Sequence, residues 1–192
     1  MNSKAMEEEY IPQLVMIAEK LAELMCENLG LQKTHIKQLF NGTIGPSVGT
    51  KVAKYPECPR PELVRGLREH TDAGGIILLL QDDKVPGLEF QKDGQWFKIP
   101  PSKNNAIFVN IGDQIEVLTN GKYKSVLHRV LAEKEGSRLS IATFYNPASD
   151  AVVSPAAEAL YPGGYRFEDY LKFYNTTKFG DKEKRFGSMK NM

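Results

Sequence analysis

Apolar residues recur every three or four positions between residues 7 and 29, the pattern of an amphipathic helix with one buried face. A second, shorter helix is predicted after Thr34, a residue type suited to an N-cap, and it would stop at Asn41-Gly42. Packing of both helices against a sheet is the favoured interpretation, and binding of a partner is the alternative. The first stripe consists of Ile11, Leu14, Val15, Ala18, Leu21, Ala22 and Met25, with Gly30 ending the helix, and the second of Ile36, Leu39 and Phe40.

From Gly49 the pattern changes to short apolar segments separated by turn residues, which is typical of β-strands. Residues 75–81 form a continuous apolar run, as expected for a strand that is buried on both faces. The near-regular spacing of these short strands predicts a sandwich or a barrel. The extended segments are residues 51–55, 63–72, 75–81, 88–91, 95–99, 106–110, 115–118, 126–132 and 138–145, with hairpin turns at residues 92–94 and 134–136. After them, residues 148–164 are predicted to be a loop and Phe167 to Tyr174 a short helix.

Composition narrows the class of protein. A length of 192 residues suits one domain with a substantial core. The net charge is 25 − 24 = +1, so neither nucleic acid nor a membrane surface is an expected partner. Two cysteines are too few for a disulfide framework, and the polar, acidic first ten residues do not resemble a signal peptide. The cytoplasm is the expected location.

Two histidines and one aspartate are candidate metal ligands. His70 and Asp72 are two residues apart in a predicted strand, so their side chains would leave the same face. His128 lies in residues 125–131, an apolar, β-branched run that also predicts a strand. Two imidazoles and a carboxylate form a facial triad, the ligand set of non-haem Fe(II), whereas structural zinc more often uses thiolates. From spacing alone, a chance His-x-Asp pair and an ordinary packed histidine stay as the alternative. The third histidine, His35, falls in a predicted helix without a ligand-like neighbour.

Ten residues after His128, the segment Arg138-Leu139-Ser140 is a candidate anion site. On a strand, Arg138 and Ser140 would share one face. Arginine can hold a carboxylate with two parallel hydrogen bonds, and a serine hydroxyl adds a third contact. A surface salt bridge is the alternative role for Arg138.

Longer motifs resemble one family of enzymes. His70-x-Asp72, the distant His128 and Arg138-x-Ser140 are similar to the core motif of the Fe(II)- and 2-oxoglutarate-dependent dioxygenase superfamily. Within it, the sequence resembles most the plant 1-aminocyclopropane-1-carboxylate (ACC) oxidases, which form ethylene. This resemblance covers nearly the whole chain, and its motifs are residues 49–52, 55–59, 66–75, 120–129 and 144–147.

The resemblance implies a fold and a division of the chain. The family's fold is mainly β with flanking α-helices, a double-stranded β-helix or jelly roll. Residues 1–48 would be a helical remnant of the N-terminal dioxygenase segment, residues 49–150 the Fe(II)-dependent jelly-roll core, and residues 151–192 a C-terminal loop, helix and tail. Because family members carry a longer N-terminal segment, we expect an N-terminally truncated chain, and whether its jelly roll is complete stays open.

The resemblance also implies the chemistry. Fe(II) would be bound by His70, Asp72 and His128, and the substrate, an amino-acid-like carboxylate, would share the iron with O2. Ascorbate would supply electrons, bicarbonate or CO2 would act as an activator, and the products would be ethylene, CO2 and cyanide. The residues implied beside the iron are Arg138 and Ser140 for small carboxylates, Lys51 and Arg185 for activator or ascorbate, Tyr55 as part of the cofactor site, and Lys124 and Lys178 as further candidates. For each lysine, a solvated surface charge is the alternative.

Two departures from the family pattern bear on function. Ala53 stands where 2-oxoglutarate users have an asparagine, which favours the ethylene-forming branch. Gly187 follows Arg185-Phe186 where a glutamate is usual, so docking of the tail is expected to be weakened and the tail to lie loosely over the site. The alternative functions are a 2-oxoglutarate-dependent hydroxylase on the same scaffold and a catalytically inactive fragment that binds iron or a partner.

Overall fold

Two four-stranded antiparallel sheets form the centre of the protein in the computed structural model, which describes residues 3–156, 161, 164–178 and 180–189. Apart from the consecutive pair β4 and β5, the strands alternate between the sheets along the chain, as in a double-stranded β-helix, with orders β1-β8-β3-β6 and β2-β7-β4-β5. The predicted jelly roll is therefore confirmed, and both of its sheets have four strands. The strands are β1 (Ser47–Tyr55), β2 (Arg65–His70), β3 (Ile76–Gln81), β4 (Leu88–Lys92), β5 (Gln95–Lys98), β6 (Ile107–Ile111), β7 (His128–Leu131) and β8 (Arg138–Asn146).

The first helices cover the outer face of the β1-containing sheet. A three-residue α-helical turn, α1 (Ser3–Ala5), and a π-helical turn (Met6–Tyr10) lead into α2 (Ile11–Asn28), and α3 (His35–Asn41) follows. The predicted stripe of α2 faces inward, because Leu14, Ala18, Ala22 and Met25 are all buried. Thr34 occupies the N-cap position of α3, but its side chain makes no capping hydrogen bond. Helix packing against the sheet, predicted from the stripe, is confirmed by this shared core.

Strand β3 is buried on both faces, as its continuous apolar run predicts. Ile76 and Leu78 belong to the core shared with the helices, whereas Leu79 packs with Leu88 and Val130 between the two sheets. Complete burial of each such side chain contributes about 1.5–3 kcal/mol to folding. This inter-sheet cluster is small, and the space beside it forms the site described below.

Turn residues explain the β4–β5 hairpin. Asp93 and Gly94 both have positive φ angles, 51° and 78°, as a tight turn with left-handed residues requires. The predicted turn at residues 92–94 is therefore confirmed.

Other predicted elements differ from the structure. Residues 115–118, predicted as extended, lie in helix α4 (Asp113–Leu118), all of whose residues are buried. A run this short does not distinguish a strand from a buried helix. Within the predicted loop 148–164, a short strand β9 (Val152–Val153) pairs with β10 (Tyr165–Arg166). The segment before β2 is a 3₁₀ turn, Pro61–Leu63, and so the second strand begins later than predicted.

The C-terminal segment is helical and docked. Helix α5 (Phe167–Thr176) confirms the helix predicted from Phe167 to Tyr174, and α6 (Lys182–Met189) follows it. Arg185 and Phe186 are buried, while Gly187 is exposed with no atom within 4 Å of the position that a Cβ would take. The expectation of a loose tail is therefore wrong for this helix, because its anchoring residues are Arg185 and Phe186. No helix in the described part of the chain is long and apolar enough to cross a membrane.

Candidate metal centre

His70, Asp72 and His128 converge at one end of the sheet that contains β2 and β7. His70 ends β2 and lies opposite His128, the first residue of β7, in the antiparallel register. One ligand atom from each of the three residues lies within 4.8 Å of the other two. The two imidazole Nε2 atoms are 3.6 Å and 3.5 Å from the oxygens of the Asp72 carboxylate. Because β2 ends at His70, a turn rather than a continuing strand brings Asp72 to the cluster.

Backbone carbonyls fix the orientation of both imidazole rings. The Nδ1 atom of His70 is 2.8 Å from the Arg68 carbonyl oxygen, and that of His128 is 3.0 Å from the Val126 carbonyl oxygen. A carbonyl oxygen can only accept, so each Nδ1 carries a hydrogen and donates it. In the neutral rings Nε2 is therefore unprotonated, and both Nε2 lone pairs face the Asp72 carboxylate. This donor set suits Fe(II) held by a facial triad.

Two further side chains support the triad. The Asn110 amide Nδ2 donates a 2.8 Å hydrogen bond to Asp72 Oδ2, which orients the carboxylate. The Phe90 ring stacks on the His128 imidazole, with centroids 4.8 Å apart and an interplanar angle of 11°. Neither residue was predicted from the sequence as part of the site. Asn110 could have been singled out from the sequence, because it is the polar residue in the otherwise apolar strand Ile107–Ile111.

Burial changes the proton affinity of the site. The pKa of His70 is lowered from its ordinary value, mainly by burial and next by the neighbouring His128, against the opposing effect of Asp72. A neutral imidazole is the form that binds a metal, so this shift keeps His70 ready to coordinate at neutral and mildly acidic pH.

The metal-free protein is expected to lose stability as the pH falls through about 6.5, the pKa of an unfolded histidine. Since the folded state lowers the His70 pKa, the unfolded state binds the proton more readily, and acid favours unfolding. Urea unfolding with a chelator, at about pH 7.5 and about pH 5.5, measures this loss. His70→Asn, which does not titrate, should lose less stability over the same interval. If both proteins lost the same free energy of unfolding, the lowered pKa of His70 would not be the cause of the acid sensitivity.

Arg138 and Ser140, the candidate anion-binding pair, line the same cavity. Both are buried residues of β8, and they line a cavity of about 100 Å³ together with the three candidate ligands. Arg138 donates from Nη2 to Gln81 Oε1 at 2.9 Å, while its buried Nε and Nη1 atoms have no hydrogen-bond partner. Burial lowers the pKa of Arg138, although a guanidinium remains protonated at neutral pH. A buried cation with two free donors is suited to a small carboxylate or bicarbonate.

Tyr55 and Lys51 also line this cavity. The Tyr55 ring lies beside Arg138, with its centroid 5.5 Å from the guanidinium carbon. Lys51 is exposed and borders both the cavity and a second, outer cleft, and this places its charge at the mouth. The structure therefore brings Lys51, Tyr55, Arg138 and Ser140 together with the triad.

The three remaining candidates lie elsewhere. Arg185 is fully buried and does not line the cavity, since its guanidinium binds Thr71, Asp113 and Tyr170. Lys124 donates to Glu116 and Tyr161 near the protein surface. Lys178 borders a separate surface cleft. Direct roles at the metal are not visible for these residues.

This fold and site define the class of protein. The sequence model of the 2OG-Fe(II) oxygenase superfamily matches residues 47–147, and the chain belongs to that superfamily. The match covers the eight strands of the two sheets and all three candidate ligands.

Relatives indicate a narrower group. The chain is 70% identical over 190 residues to 1-aminocyclopropane-1-carboxylate oxidase 1 of Arabidopsis thaliana, which covers 99% of this chain and 61% of that protein. It is 54% identical over 191 residues to 1-aminocyclopropane-1-carboxylate oxidase 2 of Malus domestica, covering 95% of this chain and 57% of that one. The chain thus spans about three fifths of the length of these relatives.

Solved structures show the same fold. The crystal structure of JOX2 in complex with 2OG, Fe and JA superposes with a TM-score of 0.80 and 39% identity, covering 86% of this chain and 50% of that one. The 2-oxoglutarate complex of dioxygenase for auxin oxidation 1 from Arabidopsis thaliana gives a TM-score of 0.66 at 29% identity, covering 74% of this chain and 52% of that one. Both neighbours are about twice as long as the part of them that this chain matches.

Proposed function

We propose that this chain carries the iron site of an ACC oxidase. Such an enzyme converts 1-aminocyclopropane-1-carboxylate, O2 and ascorbate to ethylene, CO2, hydrogen cyanide, dehydroascorbate and two water molecules. One observation carries the proposal: three ligand atoms converge within 4.8 Å in the same small cavity as a buried arginine with two free donors. High identity to two proteins named as ACC oxidases supports the choice of substrate. Bicarbonate or CO2 is the proposed activator.

His70, Asp72 and His128 are the proposed Fe(II) ligands. When bound there, Fe(II) would supply the activation of O2 and the electron transfer that amino-acid side chains cannot provide. The protein prepares the ligands before the metal arrives, because the carbonyls of Arg68 and Val126 hold both rings in the required tautomer. Asn110 holds the Asp72 carboxylate in the same way.

Arg138 and Ser140 are proposed to orient the substrate carboxylate or bicarbonate. The free Nε and Nη1 atoms of Arg138 can each donate a hydrogen bond to an oxygen of a bound anion, and the Ser140 hydroxyl can add a third hydrogen bond. Apolar walls from Leu79, Leu88 and Val130 exclude water and strengthen these charged contacts. Lys51 at the mouth would attract anionic ligands, including ascorbate, and Tyr55 would pack beside the bound carboxylate.

A 2-oxoglutarate-dependent hydroxylase is the second candidate. It is favoured by the likeness to JOX2, which was crystallised with 2OG, and an Arg138–Ser140 pair also suits the distal carboxylate of 2-oxoglutarate. Against it, Ala53 replaces the asparagine expected for 2-oxoglutarate users. A third candidate is a chain that binds iron without turnover.

Anaerobic titration with Fe(II), followed by an ethylene assay with ACC, ascorbate and bicarbonate, tests the proposal. We expect one equivalent of Fe(II) to bind and ethylene to form without 2-oxoglutarate. Chelation of the metal should abolish the activity, and added Fe(II) should restore it. Absolute dependence on 2-oxoglutarate would establish the second candidate. Fe(II) binding without ethylene or any 2-oxoglutarate turnover would establish the third.

A cytoplasmic location is also proposed. The two cysteines are free, with Cys26 buried and Cys58 partly exposed, and free thiols fit a reducing compartment. A small amino-acid substrate and O2 would be the partners of such an enzyme.

A further inference from the structure

Thr71, which lies between the two candidate ligands His70 and Asp72, is hydrogen-bonded through its backbone carbonyl and its hydroxyl to the C-terminal segment. Tyr174 Oη donates a 2.8 Å hydrogen bond to the Thr71 carbonyl oxygen, and Arg185 Nη2 donates a 2.7 Å hydrogen bond to Thr71 Oγ1. The Thr71 hydroxyl in turn donates to Asp113 Oδ2 at 3.2 Å. Thr71 itself is buried, so solvent does not compete for these contacts.

Arg185 has the surroundings of a structural residue. Its Nε donates to the Tyr170 hydroxyl at 3.2 Å, its Nη1 to the Lys178 carbonyl at 3.0 Å, and its Nη2 approaches Asp113 Oδ2 at 3.3 Å. The side chain is fully buried and lines neither the metal cavity nor the outer cleft. Its donors are already directed at protein groups, so it is poorly placed to bind a soluble anion.

Helix α4 holds the rest of the ligand-bearing turn. The Asp113 backbone N–H donates to the Asp72 carbonyl at 2.8 Å, and the Gln114 side chain donates to the Ala73 carbonyl at 2.7 Å. Helix α6 docks on α4 through two acid–base pairs spaced three residues apart on each helix: Arg185 with Asp113, and Lys182 with Glu116 at 2.7 Å. The C-terminal helix is therefore connected through α4 and Thr71 to both sides of the turn.

We propose that Arg185 is a positioning residue, which acts through Thr71 to fix the turn that carries Asp72, and that helix α6 is thus a structural part of the metal centre. The inference rests on the proposed iron site. It replaces the direct role in binding activator or ascorbate that the family resemblance implies for Arg185. If the turn became mobile, the Asp72 carboxylate would no longer be held beside the two imidazoles. Fe(II) affinity would then fall, because part of the binding free energy would be used to order the turn.

Fe(II) affinity, measured by anaerobic titration, tests the positioning role in Arg185→Lys, Thr71→Val and the double variant. Loss of an outer-shell partner weakens metal binding by about 10- to 100-fold, and we expect each single variant to show such a loss. The double variant should show little more, because both changes break one connection. Lys184→Ala is the matched control on the same helix, since the Lys184 side chain is 79% exposed and forms an ion pair with Asp181 at the surface. It should bind Fe(II) as the unchanged protein does.

The half-saturating concentrations of bicarbonate and ascorbate separate the two roles of Arg185. Positioning predicts that they stay unchanged once iron is saturating. Unchanged Fe(II) affinity in Thr71→Val and Arg185→Lys, together with raised half-saturating concentrations in the latter, would overturn the inference but leave the proposed function standing. If Arg185→Lys does not fold, Thr71→Val decides alone, because it removes only one hydroxyl. Absence of Fe(II) binding by the unchanged protein would overturn both.

Discussion

Asp72→Ala is expected to abolish Fe(II) binding and ethylene formation while the protein stays folded. Asp72 supplies the negative charge of the cluster, and two neutral imidazoles alone cannot complete a facial triad. The loss should exceed the about 10- to 100-fold effect that is typical of outer-shell changes. Asp72 lies at the edge of the cavity, and its described hydrogen-bonding side-chain partner is Asn110. The free energy of unfolding should therefore change by only about 1 kcal/mol.

Anaerobic Fe(II) titration and urea unfolding of the same preparation measure the two effects separately. Asn110→Ala is the graded control, because it removes the hydrogen bond to Asp72 and leaves the three ligands in place. It should weaken Fe(II) binding by about 10- to 100-fold. Unchanged Fe(II) affinity in Asp72→Ala would rule out the assigned ligand set.

Arg138→Met is expected to reduce binding of the substrate carboxylate by about 2–5 kcal/mol, or roughly 30- to 5,000-fold, without changing Fe(II) affinity. The buried guanidinium offers two unpartnered donors, and a carboxylate in a cavity with apolar walls depends on them. Methionine has a similar volume but neither charge nor donor. Binding of ACC to the iron-loaded protein under anaerobic conditions measures the affinity directly.

Ser140→Ala provides the comparison for the arginine. It removes one neutral hydrogen bond, which is worth about 0.5–1.5 kcal/mol. A large loss of ACC affinity in Arg138→Met and a small loss of ACC affinity in Ser140→Ala would match the proposed roles. Retention of normal ACC affinity in Arg138→Met would show that the carboxylate binds elsewhere.

Local patterns were sufficient to predict most of the fold. The helical stripe of α2 and the apolar run of β3 each follow from one short sequence window, and both have the predicted burial. Helix α4 was not predictable in this way, because it is only six residues long and all six, polar and apolar, are buried. Tertiary packing decides the conformation of such a segment.

The site was predicted in part from residue types and in part from resemblance. His70, Asp72 and His128 have the chemistry of metal ligands, and the register of β2 and β7 brings the two histidines together. The position of Arg185 could not be derived from a pattern, since its contact with Thr71 joins residues 114 positions apart. Its proposed direct role at the cofactor depended on resemblance alone, and the buried network supports a different role.

The two candidate histidine ligands and the proposed carboxylate-binding pair belong to different sheets. His70 and His128 lie on β2 and β7, whereas Arg138 and Ser140 lie on β8 of the facing sheet. The small cluster of Leu79, Leu88 and Val130 keeps these sheets apart. If iron binds at the histidines, the apolar layer between the two sheets would determine how long a molecule must be to reach both the metal and the Arg138 guanidinium. Substitution of one aliphatic residue for another in that cluster would therefore change the size of substrate that fits, while the candidate ligands, Arg138 and Ser140 stay the same.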